Sequence, residues 1–255
     1  LLDDIVSYMP SPESRKIAGV NMKTKEIFVA KYDFAKAKSA FIFKTIVDPF
    51  IGKYSMIKIA SGVIKSDDTL YNEARDEEDR ISKLYVFEGS RPIEVKELHA
   101  GDIGAIGKLD AATGDTLSTK ANPIAYGKIE VSTPYTYKRY RAKLKGEEDK
   151  VAQALAKMAQ EDLTIKVVND GENRQTLLYG MGDQHLDIIA SQLLTKYKVD
   201  MTLEKPKVAF RETIRKSSDV DSKYKKQSGG HGQYGHVKMR FSPLGDLEVP
   251  YEFSQ

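Results

Sequence analysis

Thr164-Ile165-Lys166-Val167-Val168-Asn169-Asp170-Gly171-Glu172-Asn173-Arg174-Gln175-Thr176-Leu177-Leu178-Tyr179 holds two β-rich runs, residues 164–168 and 175–179. They are joined by the turn-rich Asn169-Asp170-Gly171-Glu172-Asn173, so the stretch reads as a hairpin. Helical patterns flank it on both sides. Upstream, Val151, Leu155, Met158 and Ala159 recur at i, i+4, i+7 and i+8, after a first turn rich in Glu147, Glu148 and Asp149, the charge that suits a helix N-terminus. Downstream, a helix starting at Asp183 as N-cap buries Leu186, Ile189, Leu193 and Leu194 and ends in Lys196 and Lys198. A strand over residues 129–144 precedes the first helix and another over 199–203 follows the second. The order is therefore βαββαβ, which predicts a ferredoxin-like sandwich over residues 123–204.

Residues 39–122 read differently. Short runs at 40–47, 54–61, 69–72, 81–87 and 103–107 are separated by Asp48-Pro49, Ser61-Gly62, Ser66-Asp67-Asp68, Glu88-Gly89-Ser90 and Ala100-Gly101-Asp102. Many short strands with turn chemistry between them and no convincing helix predict a small β-barrel. The acidic run within Arg75 to Arg80 reads as a solvated loop, with a metal site as the alternative. Ahead of the barrel, Leu1, Leu2, Ile5, Val6 and Met9 have helical spacing that stops at Pro10 and Pro12. Residues 13–38 are expected to be mostly linker, with a short strand at 26–29.

The last segment, residues 205–255, is organised around Gln227-Ser228-Gly229-Gly230-His231-Gly232-Gln233-Tyr234-Gly235-His236. Four glycines in seven residues make this a tight, exposed hairpin tip, with strands expected at 208–214 and 237–241. From Lys205 to Arg240 there are ten Lys or Arg against three acids, a balance of +7, whereas the whole chain carries +3. The remaining residues therefore sum to −4, and the positive field is concentrated here. Glycine amides, Gln227 and Gln233, a histidine, Tyr224 and Tyr234 beside Lys225 and Lys226 are the donors and stacking faces used on RNA. A solvated hairpin is the bland alternative. A second row of cations, Arg139, Arg141, Lys143 and Lys145, alternates along residues 135–145 at about 7 Å intervals. Either it protects an edge strand or it meets phosphates.

Chain-wide features exclude several classes of function. No apolar run approaches the ~18 residues of a membrane span, so no membrane partner is expected. The 255 residues contain no Cys, which removes disulfides and thiolate metal sites and suits a reducing cytosol, so a cytoplasmic location is expected. There is no Gly-x-x-x-x-Gly-Lys-Ser/Thr phosphate loop, and no pair among His99, His185, His231 and His236 has the helical i, i+4 zinc spacing. His185 reads as a capping or packing histidine. No cofactor, metal or catalytic residue is expected in this chain. Leu1-Leu2-Asp3-Asp4 has neither an initiator Met nor the basic start of a signal peptide, and the chain is expected to be an excised fragment.

Several of these stretches resemble one family. The glycine stretch 227–236 resembles the opening of domain IV of elongation factor G, the translational GTPase of ribosomal translocation. Glu161-Asp162-Leu163-Thr164 with Gly180-Met181-Gly182-Asp183-Gln184-His185-Leu186-Asp187-Ile188 resembles its domain III signature. Lys205-Pro206-Lys207-Val208-Ala209-Phe210-Arg211-Glu212-Thr213-Ile214 resembles its junction into domain IV. Asp48-Pro49-Phe50-Ile51-Gly52-Lys53, Ser61-Gly62-Val63-Ile64-Lys65 and Gly114-Asp115-Thr116-Leu117 resemble its barrel domain II. His231, Gln184, Leu163 and Asp67 stand where the family usually has Arg, Leu, Pro and Gly, drift of the kind expected of an elongation factor G-like paralog.

The resemblance implies a multidomain α+β chain. Residues 1–38 would be the end of a GTPase domain and a linker, 39–122 the translation-factor β-barrel, 123–204 the ferredoxin-like domain III, and 205–255 a partial domain IV, a split βαβ unit that is ribosomal protein S5-like. GTP and Mg would belong to the parent's missing domain, making the parent a GTPase while this chain itself is not an enzyme. The implied partners are small-subunit RNA and protein and the tRNA–mRNA of the decoding region, engaged as a monomer. The alternatives are a ribosome-protection or rescue factor of the same superfamily and, from another class, a stand-alone RNA-binding module.

Overall fold

The computed structural model describes residues 1–255 except 49–51, 211, 228, 231, 246–248, 250 and 255. It divides into two compact units, Leu1–Lys207 and Val208–Gln255.

In the first unit an eight-stranded antiparallel sheet surrounds one core. Its order is Glu77–Arg80, Thr69–Asn72, Thr116–Ser118, Ser39–Asp48, Gly52–Ser61, Ile103–Gly107, Leu84–Glu88 and Arg91–Val95. A two-stranded ribbon, Val63–Lys65 with Glu97–His99, accompanies it. Alternate residues of the long strands point inward, and Ile42, Ile57, Ile59, Ile64, Leu70, Leu84, Ile106 and Leu117 are nearly or fully inaccessible. This is the barrel expected from the short-strand pattern.

Two expectations are corrected here. The acidic run is not a loop, because Glu77–Arg80 is a strand paired with Thr69–Asn72 in the register Thr69↔Arg80 to Asn72↔Glu77. Two of its carboxylates are paired: Arg75 meets Glu77 at 3.0 Å, bridging it to Asp110 at 2.9 Å, and Lys120 reaches Glu78 at 3.2 Å. Residues 13–38 are not mostly linker either. Ile17–Asn21 and Ile27–Ala30 form a hairpin, and Ile17–Asn21 also pairs with Ile124–Tyr126. The turn is closed by the Asn21 side-chain oxygen, which accepts from the Lys23 and Thr24 amides, and by Lys25 at φ 61°. Tyr126 fastens this sheet to the barrel by a 2.7 Å hydrogen bond between its hydroxyl and that of Ser39. Burial pushes the Tyr126 phenol up to about 12, against the hydrogen bonds from Ser39 and Ser61. The helix expected near the start is present as Leu2–Tyr8, with every residue exposed.

Residues 136–204 form the βαββαβ sandwich. The sheet order is Lys166–Asp170, Gln175–Gly180, Thr136–Ala142, Met201–Glu204, all neighbours antiparallel. Helices Glu148–Glu161 and Asp183–Tyr197 cover one face, burying Val151, Leu155, Met158, Leu186, Ile189 and Leu193 against Leu178 and Met201. The strand expected over 129–144 is confined to Thr136–Ala142. Asp183 lies in the first helical turn, not at the N-cap, which is Gly182, and its carboxylate pairs with Lys138 at 2.9 Å. Leu194, expected in the core, is 48% exposed, because it lies off the stripe of Leu186, Ile189 and Leu193.

In the second unit Ser218–Gln227 and Gly232–Phe241 pair as one antiparallel hairpin of ten residues per strand. The upstream strand is Ser218–Gln227, not the expected 208–214, of which the described residues are irregular. Cross-strand pairing of Asp219 with Arg240 and of Asp221 with Lys238 helps this polar run extend: both aspartates find their complement on the facing strand.

Candidate nucleic-acid interface

The hairpin register runs without slips from Ser218↔Phe241 to Gln227↔Gly232, which leaves residues 228–231 as the connection. Ser228 and His231 lie outside the described residues. Gly229 takes φ 84°, a left-handed conformation that favours glycine. Gly229, Gly230, Gly232, Gln233, Tyr234, Gln227, Lys225 and Lys226 are all exposed, so the described part of the expected contact set is gathered on one accessible end.

Charge is graded along the hairpin. At the base Arg240 holds Asp219 through two bonds of 2.7 and 3.0 Å, which keeps that carboxyl below its ordinary range. One rung further, Asp221 meets His236 at 2.5 Å and Lys238 at 3.2 Å. Beyond that the facing residues are Lys223↔His236, Lys225↔Tyr234 and Lys226↔Gln233, with no carboxylate opposite. Among the described residues no acid pairs with Lys223, Lys225 or Lys226. Side chains alternate between the two faces of the ribbon. Lys223, Lys225 and Tyr234 therefore share one face, and Tyr224, Lys226 and Gln233 the other. The Lys223 ammonium lies 5.5 Å from the Tyr234 ring centroid. Lys223 was not among the residues expected from sequence; the i, i+2 relation to Lys225 is the signal that would have found it.

The second cation row is arranged less freely than its spacing suggested. Thr136–Ala142 is an interior strand, and Arg139 faces Glu204 on its neighbour. Glu204 binds Arg139 and also Arg141, the latter at 2.9 Å, so these two guanidiniums hold its carboxyl below the ordinary range. Lys143 pairs with Asp200 at 2.7 Å, and Lys143 and Lys145 lie past the strand end. The row on a single strand face is therefore reduced to Arg139 and Arg141, both already ion-paired.

The signature residues around His185 also come together. The Met181 amide donates to His185 Nδ1 at 3.0 Å, and Nε2 lies 3.1 Å from Asp162 Oδ2. The other Asp162 oxygen accepts from the Thr164 amide at 2.8 Å and from its hydroxyl at 2.5 Å. Burial raises the Asp162 carboxyl, but the Thr164 bonds and His185 outweigh it and leave the group below its ordinary range. His185 is thus the packing histidine expected, fixing the entry of the second helix against the end of the first.

Three family models match the chain: elongation factor G domain 2 over residues 37–120, elongation factor G domain III over 131–205, and elongation factor G domain IV over 206–255. The fold is similar to the crystal structure of ttk003000868 from Thermus thermophilus, with 31% sequence identity and a TM-score of 0.70. That likeness covers 94% of this chain and 34% of the other, so the chain spans about a third of the length of this neighbour. No described helix is long and apolar enough to cross a membrane. With a barrel, a βαββαβ sandwich and a basic hairpin matched in order to consecutive domains of one translation factor, this chain belongs to the elongation factor G family.

Proposed function

We propose that the chain is the ribosome-engaging part of an elongation factor G-like translational GTPase acting in translocation, and that the hairpin end at residues 225–234 touches RNA in the decoding region. The observation that carries this reading is the graded charge of the hairpin. Acids pair with bases near Phe241, while Lys223, Lys225 and Lys226 beside Tyr234 have no acid among the described residues to neutralise them. A phosphate backbone would gain unscreened cations there, with aromatic rings within reach for bases. GTP and Mg would be bound by a domain outside this chain, and no residue here is given a step in hydrolysis.

Lys225→Ala with Lys226→Ala tests the reading. The double variant should pellet with ribosomes more weakly than the parent chain. The slope of log K against log salt should also fall by about 1.4, at roughly 0.7 per phosphate contact to single-stranded RNA. An unchanged slope would assign the two lysines to a merely solvated surface. For the complete protein, ribosome-stimulated GTP hydrolysis and a translocation assay check the coupling, and an antibiotic-protection assay beside them separates translocation from ribosome protection.

A further inference from the structure

The helices of the βαββαβ sandwich cover one face of its sheet, and the opposite face carries an aromatic pair that packing does not require. Tyr137 on Thr136–Ala142 and Tyr179 on Gln175–Gly180 are direct cross-strand partners on the two central strands. Their rings stack with centroids 4.8 Å apart and planes 25° from parallel. Tyr137 remains 41% exposed, and Tyr135, just before the strand, is 73% exposed. A cation flanks the pair: Lys166 is the cross-strand neighbour of Tyr179 on its other side, while Arg141, four residues along the strand from Tyr137 and on the same face, is held by Glu204. Lys166 and Arg141 are both exposed.

Aromatic residues on a four-stranded βαββαβ sheet are how one widespread RNA-binding module stacks splayed bases, with basic side chains beside them for the backbone. We propose that this sheet face is a second RNA-binding surface, distinct from the hairpin end. It would take a single-stranded RNA segment whose bases stack on the outer faces of Tyr137 and Tyr179 and on Tyr135. Lys166 would meet its phosphates. Between Tyr137 and Arg141, Glu204 of the neighbouring strand pairs with Arg139 and Arg141, which leaves Arg139 little exposed and ties the Tyr137 strand to Met201–Glu204. A duplex keeps its bases stacked inside and has no faces to offer these rings, so the surface selects single strands.

The test is binding of a fluorescently labelled, unstructured RNA octamer to the whole chain, followed by anisotropy, beside an oligomer of equal charge with abasic sites. Tyr137→Ala should weaken RNA binding about 5- to 150-fold, the range for losing one base-stacking ring. Tyr137→Phe should restore it, since stacking needs the ring and not the hydroxyl. The abasic oligomer should bind Tyr137→Ala and the parent chain alike. Equal octamer affinity of Tyr137→Ala and the parent, or equal affinity of the parent for octamer and abasic oligomer, would overturn the proposal, as would absence of octamer binding by the parent. Lys225→Ala with Lys226→Ala in the same assay separates the two surfaces. If octamer binding is lost there and kept in Tyr137→Ala, the hairpin reading stands and the sheet surface fails; the converse result has the opposite meaning. Thermal unfolding of Tyr137→Phe and Tyr137→Ala confirms that both variants are folded.

Discussion

Glu161, the last residue of the first sandwich helix, is positioned to hold the barrel and the sandwich together. Its Oε1 accepts the Val47 backbone N–H at 2.7 Å, and both oxygens receive the Lys196 ammonium, at 3.0 and 2.7 Å. Val47 is a barrel strand residue only 6% exposed, and the Lys196 and Glu161 side chains are 31% and 24% exposed. Glu161→Ala would leave the Val47 N–H buried without a partner, at about 1–3 kcal/mol. It would also remove a partly buried ion pair, at about 1 kcal/mol. The expected loss is therefore about 2–4 kcal/mol. Glu161→Gln keeps an oxygen for the Val47 N–H and loses the charge, so it should cost about 1 kcal/mol. Urea unfolding gives the stabilities. Hydrogen exchange at the Val47 amide gives the local effect, accelerating about 100-fold in Glu161→Ala for a loss near 3 kcal/mol. Burial lowers the Lys196 ammonium pKa, but the hydrogen bond and charge of Glu161 raise it further, and the net shift is upward. Its contribution is therefore complete below the ordinary lysine value and fades only as pH rises through the elevated one. Equal destabilisation by Glu161→Gln and Glu161→Ala, or an unchanged Val47 exchange rate, would refute this reasoning.

Lys198 ends the second sandwich helix at φ 58° and ψ 29°, a left-handed position where glycine avoids the Cβ penalty; Lys198→Gly should stabilise by about 1 kcal/mol, read as a higher urea midpoint with unchanged slope. Gly19 has the Ala125 carbonyl oxygen 2.7 Å and the Tyr126 ring 2.8 Å from where a Cβ would stand, so Gly19→Ala should cost about 1–3 kcal/mol and loosen the N-terminal hairpin in hydrogen exchange. Asp162 has a lowered carboxyl pKa, so its share of stability is present above the ordinary aspartate value and is lost as pH falls through the lowered one. Asp162→Asn should accordingly flatten the acid limb of the stability–pH curve, and parallel curves for the two proteins would contradict the assignment.

The elements legible from sequence were those whose pattern is local. The sandwich helices showed themselves because Val151, Leu155 and Met158, and Leu186, Ile189 and Leu193, repeat on one helical face, and those residues are the core. Strands 69–72 and 103–107 were bounded by turn residues and appear with those bounds. The glycine tip was legible because only a tight connection needs such a run. Strand 218–227 was not, since its residues are polar and exposed and what extends them is the complement on the facing strand. The acidic run concealed a strand for the same reason: Arg75 and Lys120, which pair with Glu77 and Glu78, are supplied by a turn and by a distant strand end.

The sequence by itself determined the order of domains, the helical faces and the place of the basic hairpin, because periodicity, turn chemistry and charge are properties of neighbouring residues. Only the tertiary structure decided which cations remain available. Arg139, Arg141 and Lys143 are quenched by Glu204 and Asp200 across sequence separations of about sixty residues, whereas Lys225 and Lys226 face Tyr234 and Gln233. It alone brought Tyr137 beside Tyr179. Ion pairing and ring stacking depend on distances that fall to a few ångströms only when strands align, and strand register is set by the packed core and not by any single segment.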